Sequence, residues 1–294
     1  MKIAVITICT RNLNFGEYSI DNSREYCERH GYDFILYEDR IDSNAAVITN
    51  KTITVLQNID NYDWIFMKDA DSLFYNFRFK LENYIDDNYN YIGSLSYWQL
   101  PDIPPVVNLG QLLIKCTPEV KTELSSVLKV LRERVVSKGE QPIYNEFWNE
   151  SKISPVKKLP MHVFNARAIG KEDSDRGWGR SMEELEELDR QGINMLGDIR
   201  NDTIIVHYPG VFLKTGSYVT ERHVANGKLP QPFNFSKEYL PEFIKMYNKI
   251  KNRNSLTIIK GTKKVSKENC CGKRVRKAER KKINYKKVIR RNSK

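Results

Sequence analysis

The sequence predicts an α/β fold, in which helices cover both faces of an open, mostly parallel β-sheet. Two observations support this prediction. Apolar runs rich in β-branched residues, such as KIAVITIC at residues 2–9, are typical of strands buried on both faces. Over residues 2–71 these runs alternate with helical segments, in the order strand, helix, strand, helix, strand, and that alternation indicates a parallel sheet.

The first part of the chain contains three predicted strands and two predicted helices. The strands are KIAVITIC at residues 2–9, YDFILYED at 32–39 and YDWIFMKDAD at 62–71. The helices are YSIDNSREYCERHGYD, which we expect to end at Gly31, and NKTITVLQNIDNY at 50–62. Glycine commonly follows the last turn of a helix because it adopts the left-handed conformation without strain.

The middle of the chain continues the pattern with four strands and two helices. The predicted strands are YNYIGSL at 89–95, VVNLGQLLIKC at 106–116, VKKLPMHVFNAR at 156–167 and DTIIVHYPG at 202–210. We expect the second of them to begin with an Asn-Leu-Gly turn. Thr117 and Pro118 suit the cap and first position of a helix over 117–137, and a second helix starts near Glu140.

Charge divides the chain unequally. Residues 245–294 contain 20 Lys and Arg against 2 Asp and Glu, so this segment carries +18, whereas residues 1–244 carry −7. Such a basic block is typical of a solvated arm that contacts polyanions or an anionic membrane surface. We therefore predict a folded domain over 1–255 and a basic, flexible tail over 256–294.

The cysteines and the apolar runs bear on the compartment. The five cysteines are odd in number and form no Cys-x-x-Cys pair, which argues against a disulfide framework or a zinc module. The first apolar run is too short for a signal peptide, and no stretch approaches the roughly 18 apolar residues of a membrane span. We expect a soluble protein of the cytoplasm or another intracellular compartment.

Asp69 and Asp71 follow the third predicted strand. In extended chain, residues i and i+2 point to the same side, so both carboxylates can face one cation. Carboxylate oxygens suit hard divalent ions such as Mg²⁺ or Mn²⁺, which also bind phosphate oxygens. The alternative is a turn-forming pair of surface aspartates. The carboxyl ends of parallel strands are where such sheets bind ligands, and Thr10–Asn12 lie at the same edge.

A second group of polar residues follows the late strand. His207 ends the apolar run IIVH, where a neutral imidazole can complete a metal shell, although a structural histidine is the simpler interpretation. Gly210 would allow the backbone to approach a diphosphate, and Lys214 would neutralise its charge.

The order of these motifs resembles glycosyltransferase family 34. The matching segments are REYCERHGYDFILYED, YDWIFMKDADSLFYN, VVNLGQLLIKC, EQPIYNEF, VFNAR and IIVHYPG. The resemblance spans residues 2–214, and the order and spacing of these segments are more specific than any one of them. The family contains galactosyl-, mannosyl- and xylosyltransferases of the GT-A fold, so the resemblance implies that fold, with a mixed, mostly parallel sheet.

The resemblance also implies roles for individual residues. A Mn²⁺ or Mg²⁺ ion would be held by Asp69, Asp71 and His207. The nucleotide and diphosphate of a donor, expected to be a UDP-sugar, would be contacted by Thr7, Thr10, Arg11, Asp69, Gly210 and Lys214. The reacting sugar and the acceptor would be contacted by Asn108, Glu140 and Gln141.

Two residues depart from the family pattern. Lys68 stands where an apolar residue is usual, so its charge could compete with the metal, and Glu140 replaces the more usual Asp. Taken with the motifs, the resemblance implies a metal-dependent glycosyltransferase that transfers a sugar to a glycan or other hydroxyl acceptor with retention of configuration. The alternatives are a metal-dependent phosphoryl-transfer enzyme or nuclease, and a nucleotide-sugar-binding protein without turnover.

Overall fold

A computed structural model describes residues 1–9, 13–42, 45, 47–96, 106–138, 140–167, 187, 190, 199–208 and 239–265. Within these residues the strands are β1 (Ile3–Ile8), β2 (Asp33–Tyr37), β3 (Trp64–Lys68), β4 (Ser72–Phe74), β5 (Tyr91–Leu95), β6 (Val107–Lys115), β7 (Val156–Leu159), β8 (Ala166–Arg167) and β9 (Ile205–His207). The helices are α1 (Gly16–His30), α2 (Val47–Asn58), α3 (Pro118–Lys138), α4 (Glu140–Asn149), α5 (Met161–Phe164) and α6 (Tyr239–Val265).

Six strands form the main sheet, in the order β2-β1-β3-β6-β5-β7. Strand β1 pairs in parallel with β2 and β3, and β5 pairs in parallel with β7. Only β6, among the described strands of this sheet, runs against both of its neighbours. The predicted α/β class with a mixed, mostly parallel sheet is therefore confirmed.

A second sheet contains three short strands in the order β4-β9-β8. Strand β4 follows β3 after a turn of three residues, and it pairs antiparallel with β9. In that register Ser72 lies opposite His207. The small sheet thus brings His207 beside Asp71, although 135 residues separate them in the sequence.

Apolar side chains fill both faces of the main sheet. One face packs against α1, α5 and the first part of α6, which contributes Phe243, Tyr247 and Ile250. The other face packs against α2, α3 and α4. The apolar residues of α3 recur at helical spacing, and four of them are fully buried: Val120, Leu124, Val127 and Leu131. Both faces of β3 are covered, so the chain just beyond it is held at a fixed position.

Helix α1 ends as its sequence predicts. Gly31 has φ 75°, in the left-handed region, and its N–H donates to the carbonyl of Cys27. Two other predictions about local structure were wrong. Asn108-Leu109-Gly110 is not a turn but lies within β6, and the segment over 156–167 is not one strand, because the helix α5 separates β7 from β8.

The contacts divide the chain into two units, Met1–Asn254 and Ser255–Lys294. Helix α6 begins in the first unit and ends at Val265, beyond the predicted domain boundary at residue 255. The assignment of a transferase domain and a flexible tail stays a prediction. None of the helices in the described part of the chain is both long enough and apolar enough to cross a membrane.

Candidate active site

The turn between β3 and β4 carries Asp69 and Asp71 at the carboxyl edge of the main sheet. The N–H of Asp69 donates to the carbonyl of Gly110 at 2.7 Å, which ties the start of the turn to β6. The N–H of Tyr208 donates to the carbonyl of Asp71 at 3.0 Å, which ties the turn to the residue after β9. The two aspartates are therefore held from opposite sides by backbone hydrogen bonds.

Asp69, Asp71 and His207 form a cluster that suits a divalent cation. Each offers one ligand atom, and the three atoms lie within 4.8 Å of one another. Nε2 of His207 lies 3.2 Å from Oδ1 of Asp71. Ligands of one octahedral ion at ~2.1 Å lie roughly 3 Å apart, so this separation fits a shared ion. The two carboxylates and the imidazole are a donor set that Mn²⁺ or Mg²⁺ accepts.

His207 is oriented by Asn165, a residue that the sequence analysis did not single out. The Asn165 amide donates to the carbonyl of Leu95 at 3.0 Å, and its oxygen lies 2.7 Å from Nδ1 of His207. Because the amide oxygen can only accept, Nδ1 carries the proton in this network. Nε2 is then the nitrogen that presents a lone pair in the neutral ring, as metal-binding histidines require.

Gly110 is the point at which β6 meets the metal cluster. A Cβ atom at this position would lie 2.6 Å from Oδ2 of Asp69, 2.8 Å from Oδ1 of Asn108 and 3.1 Å from Cε1 of His207. Glycine is required here because of this close approach. The same distances show that Asn108, predicted to contact the sugar, lies beside the metal cluster.

Asn108 and Gln141 meet across β6 and the start of α4. Oε1 of Gln141 accepts from the N–H of Leu109 at 3.3 Å and from Nδ2 of Asn108 at 3.5 Å. Oδ1 of Asn108 accepts from the N–H of Gly110 at 2.8 Å. Glu140 begins α4 and is 5% exposed. The structure thus brings together Asn108, Glu140 and Gln141, as the resemblance implies.

Lys51 links the metal cluster to Glu140, and sequence reasoning missed it. Its Nζ lies 2.5 Å from Oδ1 of Asp69 and 3.7 Å from Oε2 of Glu140. Burial lowers the pKa of Lys51, but the carboxylates of Asp69 and Glu140 more than offset that effect, and the pKa is raised. Burial raises the pKa of Asp69, and Lys51 opposes that rise. One ammonium group therefore balances two largely buried carboxylates.

The fold, once known, explains why Lys51 reaches the site. In a parallel α/β sheet, the helix after a strand begins at the carboxyl edge, where ligands bind. Lys51 lies near the beginning of α2, which follows β2, so the fold places it at the edge of the sheet where ligands bind.

Lys68 is buried below the turn and does not contact the carboxylate groups of the cluster. It is 1% exposed, and burial lowers its pKa to about 8. Its Nζ donates to Oγ of Ser19, to the carbonyl of Asp69 and to the carbonyl of Ser72.

The remaining predicted site residues divide into one that the structure describes and four that it does not. Thr7 is buried near the end of β1, and its Oγ1 has no hydrogen-bond partner among the residues that the structure describes. Thr10, Arg11, Gly210 and Lys214 lie outside the described residues. Their nucleotide-binding roles, like the roles of Asn108, Glu140 and Gln141, stay predictions.

Comparison with known proteins bears on the family. The sequence profile of the galactosyl transferase GMA12/MNN10 family matches residues 5–90, which include β1 to β4 and both aspartates of the cluster. No curated protein sequence matches the chain.

The chain is similar in structure to several solved glycosyltransferases, and the first of them shares its fold. One involved in the glycosylation of the major capsid of PBCV-1 has a TM-score of 0.51 and 14% sequence identity, with 77% of this chain and 100% of that chain covered. The galactosyltransferase LgtC, solved with donor and acceptor sugar analogs, has a TM-score of 0.43 and 14% identity, with 82% and 100% covered. The glycosyltransferase GlyE of Streptococcus pneumoniae has a TM-score of 0.43 and 13% identity, with 83% and 64% covered. The resemblance to glycosyltransferase family 34 is thus confirmed by the match of residues 5–90 to the galactosyl transferase GMA12/MNN10 family, on a sheet with the GT-A fold of glycosyltransferases.

Proposed function

We propose that the protein is a metal-dependent glycosyltransferase. It would take a sugar from a nucleotide-diphosphate donor, a UDP-sugar, and transfer it to a hydroxyl of a glycan or other acceptor with retention of configuration. The observation that carries this proposal is the cluster of Asp69, Asp71 and His207 at the carboxyl edge of the sheet. This edge is where sheets of this type bind ligands.

The charges of the site suit a leaving diphosphate. A bound Mn²⁺ or Mg²⁺ would neutralise the charge that develops on the diphosphate when the sugar–phosphate bond breaks. Asp69, Asp71 and His207 would hold that ion, and Asn165 would orient the ring of His207 so that Nε2 faces it. Lys214, from the sequence pattern, would contact the phosphates.

Lys51 would keep Asp69 and Glu140 ionised. Its Nζ lies within 4 Å of both carboxylates, and an ammonium group at that distance favours their charged forms. An ionised Asp69 is the form that binds a metal, and an ionised Glu140 is the form that would stabilise positive charge on the reacting sugar. Lys51 therefore serves both halves of the site.

Asn108 and Gln141 would position the sugar between the metal cluster and Glu140. The two side chains are fixed by hydrogen bonds to the backbone of β6 and to each other. Groups held in this way lose little further freedom when a substrate binds, which favours a reactive geometry. If the acceptor hydroxyl approaches the same face of the sugar from which the diphosphate departs, the anomeric configuration is retained.

The experiment that tests this proposal is the analysis of products from a panel of UDP-sugars and other nucleotide sugars, with Mn²⁺, with Mg²⁺ and with EDTA. We expect cleavage of at least one donor to the nucleoside diphosphate and free sugar, only when a metal is present. Release of a nucleoside monophosphate and a sugar 1-phosphate would instead indicate phosphoryl transfer. No cleavage, together with tight donor binding, would indicate a binding protein.

We further propose that the basic tail beyond residue 255 contacts an anionic membrane surface or another polyanion. Residues 255–294 carry +14, while residues 1–254 carry −3. A shortened chain that ends at residue 254 is expected to lose binding to vesicles that contain phosphatidylserine and to keep donor cleavage. Equal vesicle binding by the two forms would contradict contact with a membrane and would leave another polyanion as the partner.

A further inference from the structure

Lys68 is a buried lysine whose partners are backbone and hydroxyl oxygens. Its three hydrogen-bond acceptors are the carbonyl of Ser72 at 2.7 Å, Oγ of Ser19 at 3.0 Å and the carbonyl of Asp69 at 3.1 Å. An ammonium group has three N–H donors, so all of them are used. Among the residues that the structure describes, no carboxylate forms an ion pair with it. A buried charge of this kind is retained only where every donor is satisfied.

Two of these acceptors are carbonyls at the start of the metal-binding turn and just after it. Lys68 Nζ bonds to the carbonyl of Asp69, the first residue of the turn, and to that of Ser72, the first residue of β4. Oγ of Ser72 also donates to the carbonyl of Asp69, at 2.8 Å. The ammonium group therefore holds these two carbonyls together, and this fixes the conformation of the backbone that carries Asp69 and Asp71.

Helix α1 fastens the same segment from the side that β9 does not cover. Residues 71 and 75 direct backbone groups toward the β9 side, where they bond to Tyr208 and Ile204. Residues 72 and 74 direct theirs toward α1. There Ser19 donates to the carbonyl of Ser72, and Asn22 both donates to the carbonyl and accepts from the N–H of Phe74. Polar side chains of α1 thus take the place of a neighbouring strand.

We propose that Lys68 is a positioning residue of the metal centre. Its ammonium group, together with Ser19, fixes the turn so that the carboxylates of Asp69 and Asp71 face one ion. This inference deepens the proposed function and rests on it. It also reverses the expectation from the sequence, in which Lys68 competes with the metal. Its three contacts direct the charge to backbone carbonyls and a hydroxyl, below the turn.

The test compares Lys68→Met and Ser19→Ala with a matched control, Tyr91→Phe. Tyr91 is fully buried at the start of β5, and its hydroxyl donates to Glu123 at 2.8 Å. The control thus also removes a buried hydrogen bond, but away from the metal site. Circular dichroism and thermal unfolding establish that each variant is folded. Free Mn²⁺ is then measured by electron paramagnetic resonance, with and without UDP, and donor cleavage is measured as a function of Mn²⁺ concentration.

We expect Lys68→Met to weaken Mn²⁺ binding by about tenfold or more, as removal of groups that orient metal ligands does. Saturating Mn²⁺ should restore most of kcat, and Tyr91→Phe should bind Mn²⁺ like the wild type. Ser19→Ala, which keeps the lysine, should show a smaller loss of Mn²⁺ affinity. If Lys68→Met does not fold, the Mn²⁺ affinity of Ser19→Ala tests the inference in its place.

Wild-type Mn²⁺ affinity in a folded Lys68→Met variant would overturn the inference. Tighter binding would overturn it as well and would indicate that Lys68 competes with the metal. If the wild-type protein itself binds neither Mn²⁺ nor UDP, the proposed function fails first, and the positioning role fails with it.

Discussion

At the scale of single residues, the candidate site depends on groups that leave little room for change. Gly110 and Lys51 both lie against Asp69. Gly110 leaves room for the Asp69 carboxylate because it has no side chain, and Lys51 forms an ion pair with it. Neither residue is one of the three candidate metal ligands, yet each controls whether the carboxylate of Asp69 is available to an ion. Both can therefore be tested without removal of a ligand.

Gly110→Ala is expected to abolish Mn²⁺-dependent donor cleavage while the protein stays folded. The new methyl group would lie 2.6 Å from Oδ2 of Asp69, so the carboxylate would have to move away from the ion. Gly93→Ala is the matched control, because its methyl group would press against the side chains of Val107 and Leu112 in the same sheet. Mn²⁺ titration of both variants checks the prediction, and unchanged Mn²⁺ affinity in Gly110→Ala would contradict it.

Lys51→Met is expected to lower both activity and stability. It leaves the carboxylates of Asp69 and Glu140 without their common cation, and the loss of one partner from a buried pair costs about 3 kcal/mol. Bound Mn²⁺ should recover part of that loss, since it also neutralises Asp69. Lys121→Met, which breaks an exposed pair with Asp60, should change the free energy of unfolding by less than about 1 kcal/mol. Equal effects in urea unfolding would contradict the account.

At the scale of elements, the functional edge is formed where α1, β4 and β9 meet. Strand β4 contains three residues, and such a short strand has few ladder hydrogen bonds of its own. The buried polar residues of α1, Ser19, Asn22 and Ser23, line the side of the helix that faces it. They make the position of β4 depend on α1 as much as on β9.

Asn22→Ala should therefore destabilise the fold by about 2 kcal/mol, because two backbone groups of Phe74 lose their partners in a buried environment. Glu17→Ala, on an outward position of the same helix, should change stability by less than about 0.5 kcal/mol. Urea unfolding of the two variants gives the comparison. A cost for Asn22→Ala no greater than that of the control would show that α1 does not fasten β4.

At the scale of the whole molecule, strand positions could be predicted from sequence more fully than contacts between distant segments. Buried strands such as β1 and β3 are continuous apolar runs, and Gly31 marks the end of α1, so these features are local. The reversed direction of β6 is not local, because it follows from which neighbours the strand pairs with. Asn108 and Gly110 are residue types that favour turns, but contacts with distant segments, such as the bond from the N–H of Asp69 to the carbonyl of Gly110, keep them in β6.

The candidate site divides in the same way. Asp69 and Asp71 could be predicted because they follow an apolar strand, whereas the choice of His207 depended on the resemblance to the family. Lys51, Asn165 and the hydrogen bond from Lys68 to Ser19 could not, because these contacts join residues 18 to 89 positions apart in the sequence. A lysine in a helix and an asparagine near a strand are too common to attract attention alone.

Buried thiols predict how the folded molecule responds to alkaline pH. Burial raises the pKa of Cys9 from 9.0 to about 11. The unfolded chain loses this proton near pH 9 while the folded chain keeps it, so stability is full below pH 9 and falls as pH rises toward 11. The loss is on the order of 2–3 kcal/mol. Urea unfolding at about pH 8 and pH 10.5 should show a smaller fall for Cys9→Ser than for the wild type, and an equal fall would contradict this assignment.

The central claim, that Asp69, Asp71 and His207 hold a divalent ion for a nucleotide diphosphate, is tested most directly by calorimetric titration of UDP. The wild type and Asp71→Asn would each be titrated with and without Mn²⁺. We expect the wild type to bind UDP only when Mn²⁺ is present, and Asp71→Asn to lose at least about tenfold in that affinity while it unfolds at a similar temperature. UDP binding that is equally tight without Mn²⁺, or unchanged in Asp71→Asn, would contradict it.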